Sequence, residues 1–129
     1  MTINSRKEAS TNSINERFLN QFCELNSAMS IISGRWKSQI VYSISQGYNR
    51  FHLIKKQLPN ISEQVLGRQL KDLEKHAIIS KAVIPDAVPI GVEYLLTSKG
   101  LDLLPILINL CEWGKVYANG KEISLLSKF

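Results

Sequence analysis

Four residues between positions 64 and 71 combine hydrogen-bonding groups and positive charge at helical spacing. They are Gln64, Gly67, Arg68 and Lys71, which we call the polar edge. On a helix, successive residues turn by about 100°, so these four positions fall on one side. Amide and guanidinium groups can hydrogen-bond to base edges in a DNA major groove, and a glycine allows close approach. A solvated helix surface has the same composition, so the surrounding chain must decide between the two interpretations.

Positive charge is concentrated around the polar edge. From Arg50 to Lys81 the chain has seven basic and three acidic residues, which accounts for +4 of the net charge of +5. Local basic charge favours a polyanionic partner such as nucleic acid. The candidates for contacts to DNA phosphates are Arg50, Lys55, Lys56, Ser62, Lys75 and Lys81.

Other chemistry has little support in the sequence. The two cysteines and two histidines are scattered, without the spacing of a metal site. Phosphate-binding loops, nucleophile elbows and HExxH motifs are absent, so we expect neither an enzyme nor a cofactor. The chain lacks a transmembrane-length apolar run and a secretion signal, which predicts a cytoplasmic protein with reduced thiols and no membrane partner.

The polar edge requires a helix, and the pattern predicts one over about 62–77. Ser62 is suited to cap its N-terminus, and Leu66, Leu70, Leu73 and Ala77 form an apolar stripe opposite the polar edge. A shorter helical pattern from Phe51 to Leu58 ends at Pro59, immediately before this helix. Helix, short turn and basic helix together predict a helix-turn-helix, whose second helix enters the major groove.

The pattern then changes to extended. Ile78–Ile84 and Val92–Leu96 predict two strands, separated by a turn rich in proline and glycine. This hairpin would be the wing of a winged helix-turn-helix. The predicted fold is thus α+β and mainly helical, with a two- to three-stranded antiparallel wing and terminal dimerisation helices.

A last helix should begin at a cap on Thr97 or Ser98 and run to about Tyr117, with a kink or restart at Pro105. It is apolar on more than one side, which favours a subunit interface. A short amphipathic helix over 14–22 could serve the same interface. The candidate dimer residues are Phe18, Leu19, Phe22, Leu107, Leu110 and Trp113. Residues 1–13 are predicted to be a flexible arm, 14–118 the domain, and 119–129 a tail.

Several ordered motifs resemble the HxlR family of bacterial transcription regulators, relatives of the MarR group. They are Cys23, SAMSIISGRW, the pair Arg50-Phe51, LPNIS, LKDLE, VEYLLTSKG, and LLP followed by EWG. The resemblance covers roughly residues 23–117. It implies a homodimeric winged helix that binds a palindromic operator, with terminal helices at the dimer interface. Gly91 departs from the family, which commonly has a basic residue before Val92.

Two questions stay open from the sequence. The chain is predicted to be a dimeric DNA-binding regulator, and the alternative is a winged-helix protein-interaction module that does not recognise DNA sequence. Some members of the resembling family sense oxidants or electrophiles at the position of Cys23, which implies an oxidant or small-molecule effector. The alternative for Cys23 is an inert thiol packed between helices.

Overall fold

A computed structural model of the chain describes residues 22–86, 88 and 91–117. In chain order these residues form helices α1 (22–32), α2 (Lys37–Ser45), α3 (Phe51–Gln57) and α4 (Glu63–Lys75), strands β1 (Ile79–Ile84) and β2 (Gly91–Leu96), and helix α5 (Ser98–Tyr117). The chain divides into two compact units between Ser33 and Gly34, with α1 in the first and all other elements in the second. The second unit is the predicted winged helix-turn-helix.

Helix α1 is the described part of the first unit. Its apolar side chains Phe22, Leu25 and Met29 are exposed by 45%, 55% and 45%. Of the helix predicted over 14–22, only Phe22 is among the described residues, so Phe18 and Leu19 lie outside them. The predicted arm over 1–13 and the predicted tail over 119–129 also lie outside the described residues.

The core of the second unit draws on all of its helices and on β1. Each large aliphatic side chain removed from water stabilises the fold by about 1.5–3 kcal/mol. The buried set comprises Ile40, Val41, Ile44, Ile54, Leu58, Ile61, Leu66, Leu70, Leu73, Ile78, Ile79 and Leu107. Three of them, Leu66, Leu70 and Leu73, are the apolar stripe of α4, so this packing fixes which face of α4 points outward.

Helix α4 begins where the sequence predicts and ends earlier. The Ser62 hydroxyl accepts a hydrogen bond from the Val65 backbone N–H at 3.1 Å, which makes Ser62 the N-cap. The helix ends at Lys75, and Ala77 has a positive φ of 58°. The prediction that Ala77 continues the buried stripe is therefore wrong, because the left-handed backbone at Ala77 turns the chain toward β1 and leaves this residue exposed.

The wing is an antiparallel hairpin of β1 and β2, paired from Ile79 opposite Leu96 to Ile84 opposite Gly91. The connection between α2 and α3 is tied to it through Asn49. The Asn49 carbonyl accepts from the Tyr94 N–H at 2.8 Å, and its amide nitrogen donates to Glu93 Oε1 at 2.7 Å. These bonds fix the wing beside the helix-turn-helix.

Helix α5 starts against the end of α4. The Thr97 hydroxyl accepts from the Gly100 N–H at 3.1 Å and so caps α5 as predicted. The single proton of the same hydroxyl is shared between the carbonyl oxygens of Ala77 and Ile78, with the Ala77 oxygen nearer. The helix continues through Pro105 to Tyr117, so the restart that we considered at Pro105 does not occur. Within the described ranges, no helix is both long and apolar enough to span a bilayer.

Candidate nucleic-acid interface

The polar edge of α4 faces away from the core. Gln64, Arg68 and Lys71 are exposed, and Gly67 is half-buried between them. A Cβ at Gly67 would meet nothing within 4 Å, so no side chain among the described residues packs against this point. Because α4 is amphipathic and capped, its packing presents three polar side chains and an open backbone site together on one outward surface.

The candidates for phosphate contacts surround the polar edge with different degrees of freedom. Lys56 and Lys75 are exposed, whereas Arg50 and Lys55 are half-buried. Lys55 Nζ donates to the Pro59 carbonyl at 3.2 Å, so it also closes the turn between α3 and α4. The Ser62 oxygen is used as the α4 cap, which leaves its O–H proton for donation.

Lys81 is the candidate whose environment differs most from the prediction. Its Nζ lies 3.6 Å from Glu74 Oε1, and both side chains are partly exposed. The charge that the sequence assigned to DNA is therefore partly compensated within the protomer. The sequence pattern did not show this because Lys81 and Glu74 belong to different elements, β1 and α4.

An ion pair that the sequence analysis missed joins α2 to α4. Lys37 Nζ lies 3.0 Å from Asp72 Oδ2, and the Lys37 side chain is only 12% exposed. The hydrogen bond from Lys37 holds the pKa of Asp72 below its ordinary value, against the opposing effect of desolvation. Lys37 is the first residue of α2, where a cation opposes the helix dipole, and nothing in the sequence pattern identifies Asp72 of α4 as its partner.

The carboxyl end of α4 carries two further polar contacts. His76 Nε2 lies 3.8 Å from the other Asp72 oxygen, Oδ1, and His76 is the C-cap of α4. Lys99 Nζ, from the first turn of α5, donates to the His76 carbonyl at 2.8 Å. The first contact lies within the last turn of α4, whereas the second joins α4 to α5. His52 is exposed on α3.

The described part of the wing carries little positive charge. It contains one base, Lys81, and two acids, Asp86 and Glu93. Burial raises the pKa of Tyr94, opposed by the nearby Lys81 and reinforced by Glu74. Val83 and Val88 are exposed by 65% and 98%, so the surface of the wing is largely apolar. Within the described residues, the basic surface therefore lies on α3 and α4 rather than on the wing.

Helix α5 exposes a large apolar surface. Leu110 and Trp113 are exposed by 51% and 62%, and the Trp113 ring lies 5.3 Å from that of Tyr117, centroid to centroid. Leu107 is only 4% exposed. The prediction that Leu107 lies at the dimer interface is wrong, because this side chain packs into the core of its own unit and leaves almost no surface for a partner.

The cysteines occupy different environments. Cys23 is exposed on α1, and Cys111 is half-buried on α5. No group of three or more His, Cys, Asp or Glu side chains that could hold a metal ion occurs among the described residues.

Comparison with known proteins identifies the family. Residues 31–122 match the HxlR-like helix-turn-helix model. An uncharacterized HTH-type transcriptional regulator from Methanothermobacter thermautotrophicus is 41% identical over 102 residues, covering 79% of this chain and 77% of that protein. The HTH-type transcriptional regulator YodB from Bacillus subtilis is 34% identical over 95 residues, covering 73% of this chain and 84% of YodB.

Solved structures agree with the sequence relatives. The reduced form of the transcriptional regulator YodB from Bacillus subtilis matches with a TM-score of 0.67 and 31% identity, over 75% of this chain and 94% of YodB. The redox regulator HypR in its reduced form matches with a TM-score of 0.69 and 32% identity, over 77% of this chain and 97% of HypR. With the family model covering the capped helix, the turn and the wing described above, the chain belongs to the HxlR-like helix-turn-helix family of transcriptional regulators.

Proposed function

We propose that this DNA-binding transcriptional regulator acts as a homodimer and places α4 of each protomer in the major groove of a palindromic operator. The observation that carries the proposal is the outward polar edge of α4, opposite the buried side chains of Leu66, Leu70 and Leu73. A rigidly packed helix with such an edge can present hydrogen-bond donors to base edges in a fixed register. The exposed apolar surface of α5 supports the homodimer.

Within the polar edge we assign different tasks to different side chains. Arg68 can form two parallel hydrogen bonds to a guanine, and Gln64 can bond an adenine or a phosphate. Lys71 lies beside them, and Gly67 allows the backbone to approach the groove. The remaining cations, Arg50, Lys55, Lys56 and Lys75, together with the Ser62 hydroxyl, are placed to contact phosphates, which position the protein without selecting a sequence.

Selection of bound DNA from a random pool, at a stated salt concentration, tests the proposed function. We expect enrichment of a palindrome whose half-sites lie about one helical turn apart, because each dimer places two symmetric α4 helices on the duplex. If no sequence is enriched at any salt concentration, the alternative of a protein-interaction module replaces this proposal.

The division between base and phosphate contacts has its own test. On the selected operator, Arg68→Ala should cost about 1–3 kcal/mol and relax the preference at one position. Lys56→Ala should weaken all sequences alike and reduce the salt slope by about one. Titrations of operator and scrambled DNA at several salt concentrations measure both effects. Equal losses on both DNAs for Arg68→Ala would contradict its assignment to a base.

We further propose that Cys23 makes DNA binding sensitive to oxidants. Cys23 is exposed, and the related structures include diamide-treated YodB and the oxidized form of HypR. We expect diamide to change operator binding by the wild-type protein and by Cys111→Ser, but not by Cys23→Ser. Restoration by dithiothreitol distinguishes reversible thiol chemistry from damage. An unchanged diamide response in Cys23→Ser would exclude Cys23 as the sensor.

A further inference from the structure

The polar edge has carboxylate neighbours on its own helix. Asp72 follows Arg68 by four residues, and Glu74 follows Lys71 by three. Side chains at these spacings are neighbours on a helix surface, so opposite charges attract one another. A carboxylate that pairs with Arg68 would occupy the donors needed for a base and would place a negative charge beside the DNA phosphates.

The structure contains neither of these pairs; each acid is bound from another element. Asp72 Oδ2 accepts from Lys37 of α2 at 3.0 Å, and Glu74 Oε1 lies 3.6 Å from Lys81 of β1. Among the described residues, no ion pair involves Arg68 or Lys71. Arg68 and Lys71 are thus kept free of ion pairs with Asp72 and Glu74.

Lys37 is the better placed of the two lysines. Its side chain is 12% exposed, compared with 44% for Lys81, and its distance to the carboxylate is shorter. A charge that has largely lost contact with water depends on its partner, so Lys37 is held to Asp72 more firmly than a surface lysine would be. The low exposure also makes Lys37 a poor candidate for a direct phosphate contact.

We propose that Lys37 is a positioning residue for DNA recognition: by binding the Asp72 carboxylate, it keeps Arg68 without an acidic partner and available to the operator. The inference rests on the proposed function, in which Arg68 contacts a base. Asp72 is then a negative charge next to the interface that the protein neutralises from α2. Lys37 would influence operator binding without contacting DNA.

A double-mutant cycle on the full-length protein tests the role of Lys37. Lys37→Met keeps the aliphatic stem and removes the charge, Asp72→Asn removes the acid, and the double variant has the net charge of the wild type. We expect Lys37→Met to weaken operator binding roughly two- to fivefold, because the Asp72 carboxylate would then attract Arg68 away from the DNA. Asp72→Asn should bind as tightly as the wild type or more tightly, and the double variant should return to within about twofold of the wild type.

The other outcomes overturn the proposal. If Lys37 contacted a phosphate, the double variant would stay as weak as Lys37→Met. If the pair served only to hold α4 in place, Asp72→Asn would weaken binding as much as Lys37→Met does, and the double variant would not recover. Thermal unfolding of each variant identifies the temperature range in which all of them are folded, and the binding assays are performed there.

Arg68→Ala separates a failure of this inference from a failure of the proposed function. If Arg68→Ala leaves selective binding unchanged, the assignment of the polar edge to DNA is itself wrong. If Arg68→Ala weakens selective binding but Lys37→Met does not, only the role of Lys37 is wrong. If the roles of Arg68 and Lys37 are both correct, Lys37→Met should have little further effect in the Arg68→Ala background, because the Arg68 side chain that Lys37 keeps available is absent.

Discussion

At Gly100 a Cβ atom would collide with the backbone carbonyl oxygen of Ile78, because α5 begins directly against the chain that leaves α4. The same glycine donates its N–H to the Thr97 hydroxyl. Gly100 therefore serves close packing between backbones. Gly67 is different: a Cβ there would enter open space within the protomer.

Gly100→Ala should destabilise the protein by about 1–3 kcal/mol, because backbone rather than a flexible side chain must move to admit the methyl group. Chemical denaturation, monitored by circular dichroism, measures the loss. A free energy of unfolding equal to that of the wild type would show that the joint between α4 and α5 is looser than the contact with Ile78 implies.

Gly67→Ala is the matched control, with the opposite sign expected. Alanine in the middle of a helix is favoured over glycine by up to about 1 kcal/mol, and the methyl group meets no neighbour here. We expect the variant to be more stable but to bind the operator less tightly, because the methyl group stands between α4 and the groove. Denaturation and operator titration on one preparation test both expectations. If affinity is unchanged, Gly67 is not a point of close approach.

Among the elements, α4 shows how far sequence predicts this fold. Its start follows from Ser62, and its faces follow from the spacing of Leu66, Leu70 and Leu73; both rest on local chemistry and are confirmed. The predicted end of α4 is wrong because Ala77 adopts a left-handed backbone conformation. Its carbonyl is bound by Thr97, which lies 20 residues later in the chain, so local sequence does not reveal this turn.

The candidate interface follows the same division. The exposed face of α4 could be predicted from periodicity alone. The partners of its acids could not, because Lys37 and Lys81 reach Asp72 and Glu74 from elements distant in sequence. The burial of Leu107 was hidden for a related reason: α5 is apolar on several sides, so periodicity does not show which side faces the core.

The tie between α2 and α4 should respond to acid. A carboxyl whose pKa is lower in the folded than in the unfolded protein stabilises the fold above its unfolded pKa, and this stabilisation is lost as pH falls through the folded pKa. The pKa of Asp72 in the folded protein lies below the ordinary value of 3.8, so the loss of stability is expected under strongly acidic conditions. Screening keeps the effect small, because the Asp72 side chain is 38% exposed.

Unfolding measured from neutral pH to about pH 3 should show a shallower loss of stability in Asp72→Asn than in the wild type, because the variant has no carboxyl to protonate at this site. Asp86→Asn is a suitable control, since it removes an exposed acid from the turn after β1. Superimposable profiles for the wild type and Asp72→Asn would mean that the pair with Lys37 contributes no measurable stability.

For the whole molecule, the proposed homodimer makes the apolar surface of α5 a requirement for tight operator binding. Trp113→Glu would place a charge on that surface, where Trp113 is 62% exposed in the protomer. We expect a shift toward monomer and at least a tenfold loss of operator affinity, on the order of 1.4 kcal/mol, because the two α4 helices no longer bind together.

Analytical ultracentrifugation together with operator titration checks this expectation. Val83→Glu is the control, since it introduces the same charge at an exposed apolar position of the wing and should leave the oligomeric state unchanged. A dimer of undiminished strength in Trp113→Glu would assign the subunit interface to another surface.

The joint between α4 and α5 has a consequence for operator spacing. The Thr97 hydroxyl bonds the chain that follows α4, Lys99 bonds the His76 carbonyl, and Gly100 packs against Ile78 without a gap. In the proposed dimer, α5 would therefore hold the two α4 helices at a fixed separation and orientation. One base pair inserted between half-sites changes their separation by about 3.4 Å and rotates one against the other by about 35°. The protein could adjust little to that change, so the spacing between half-sites as well as their base sequence would define its targets.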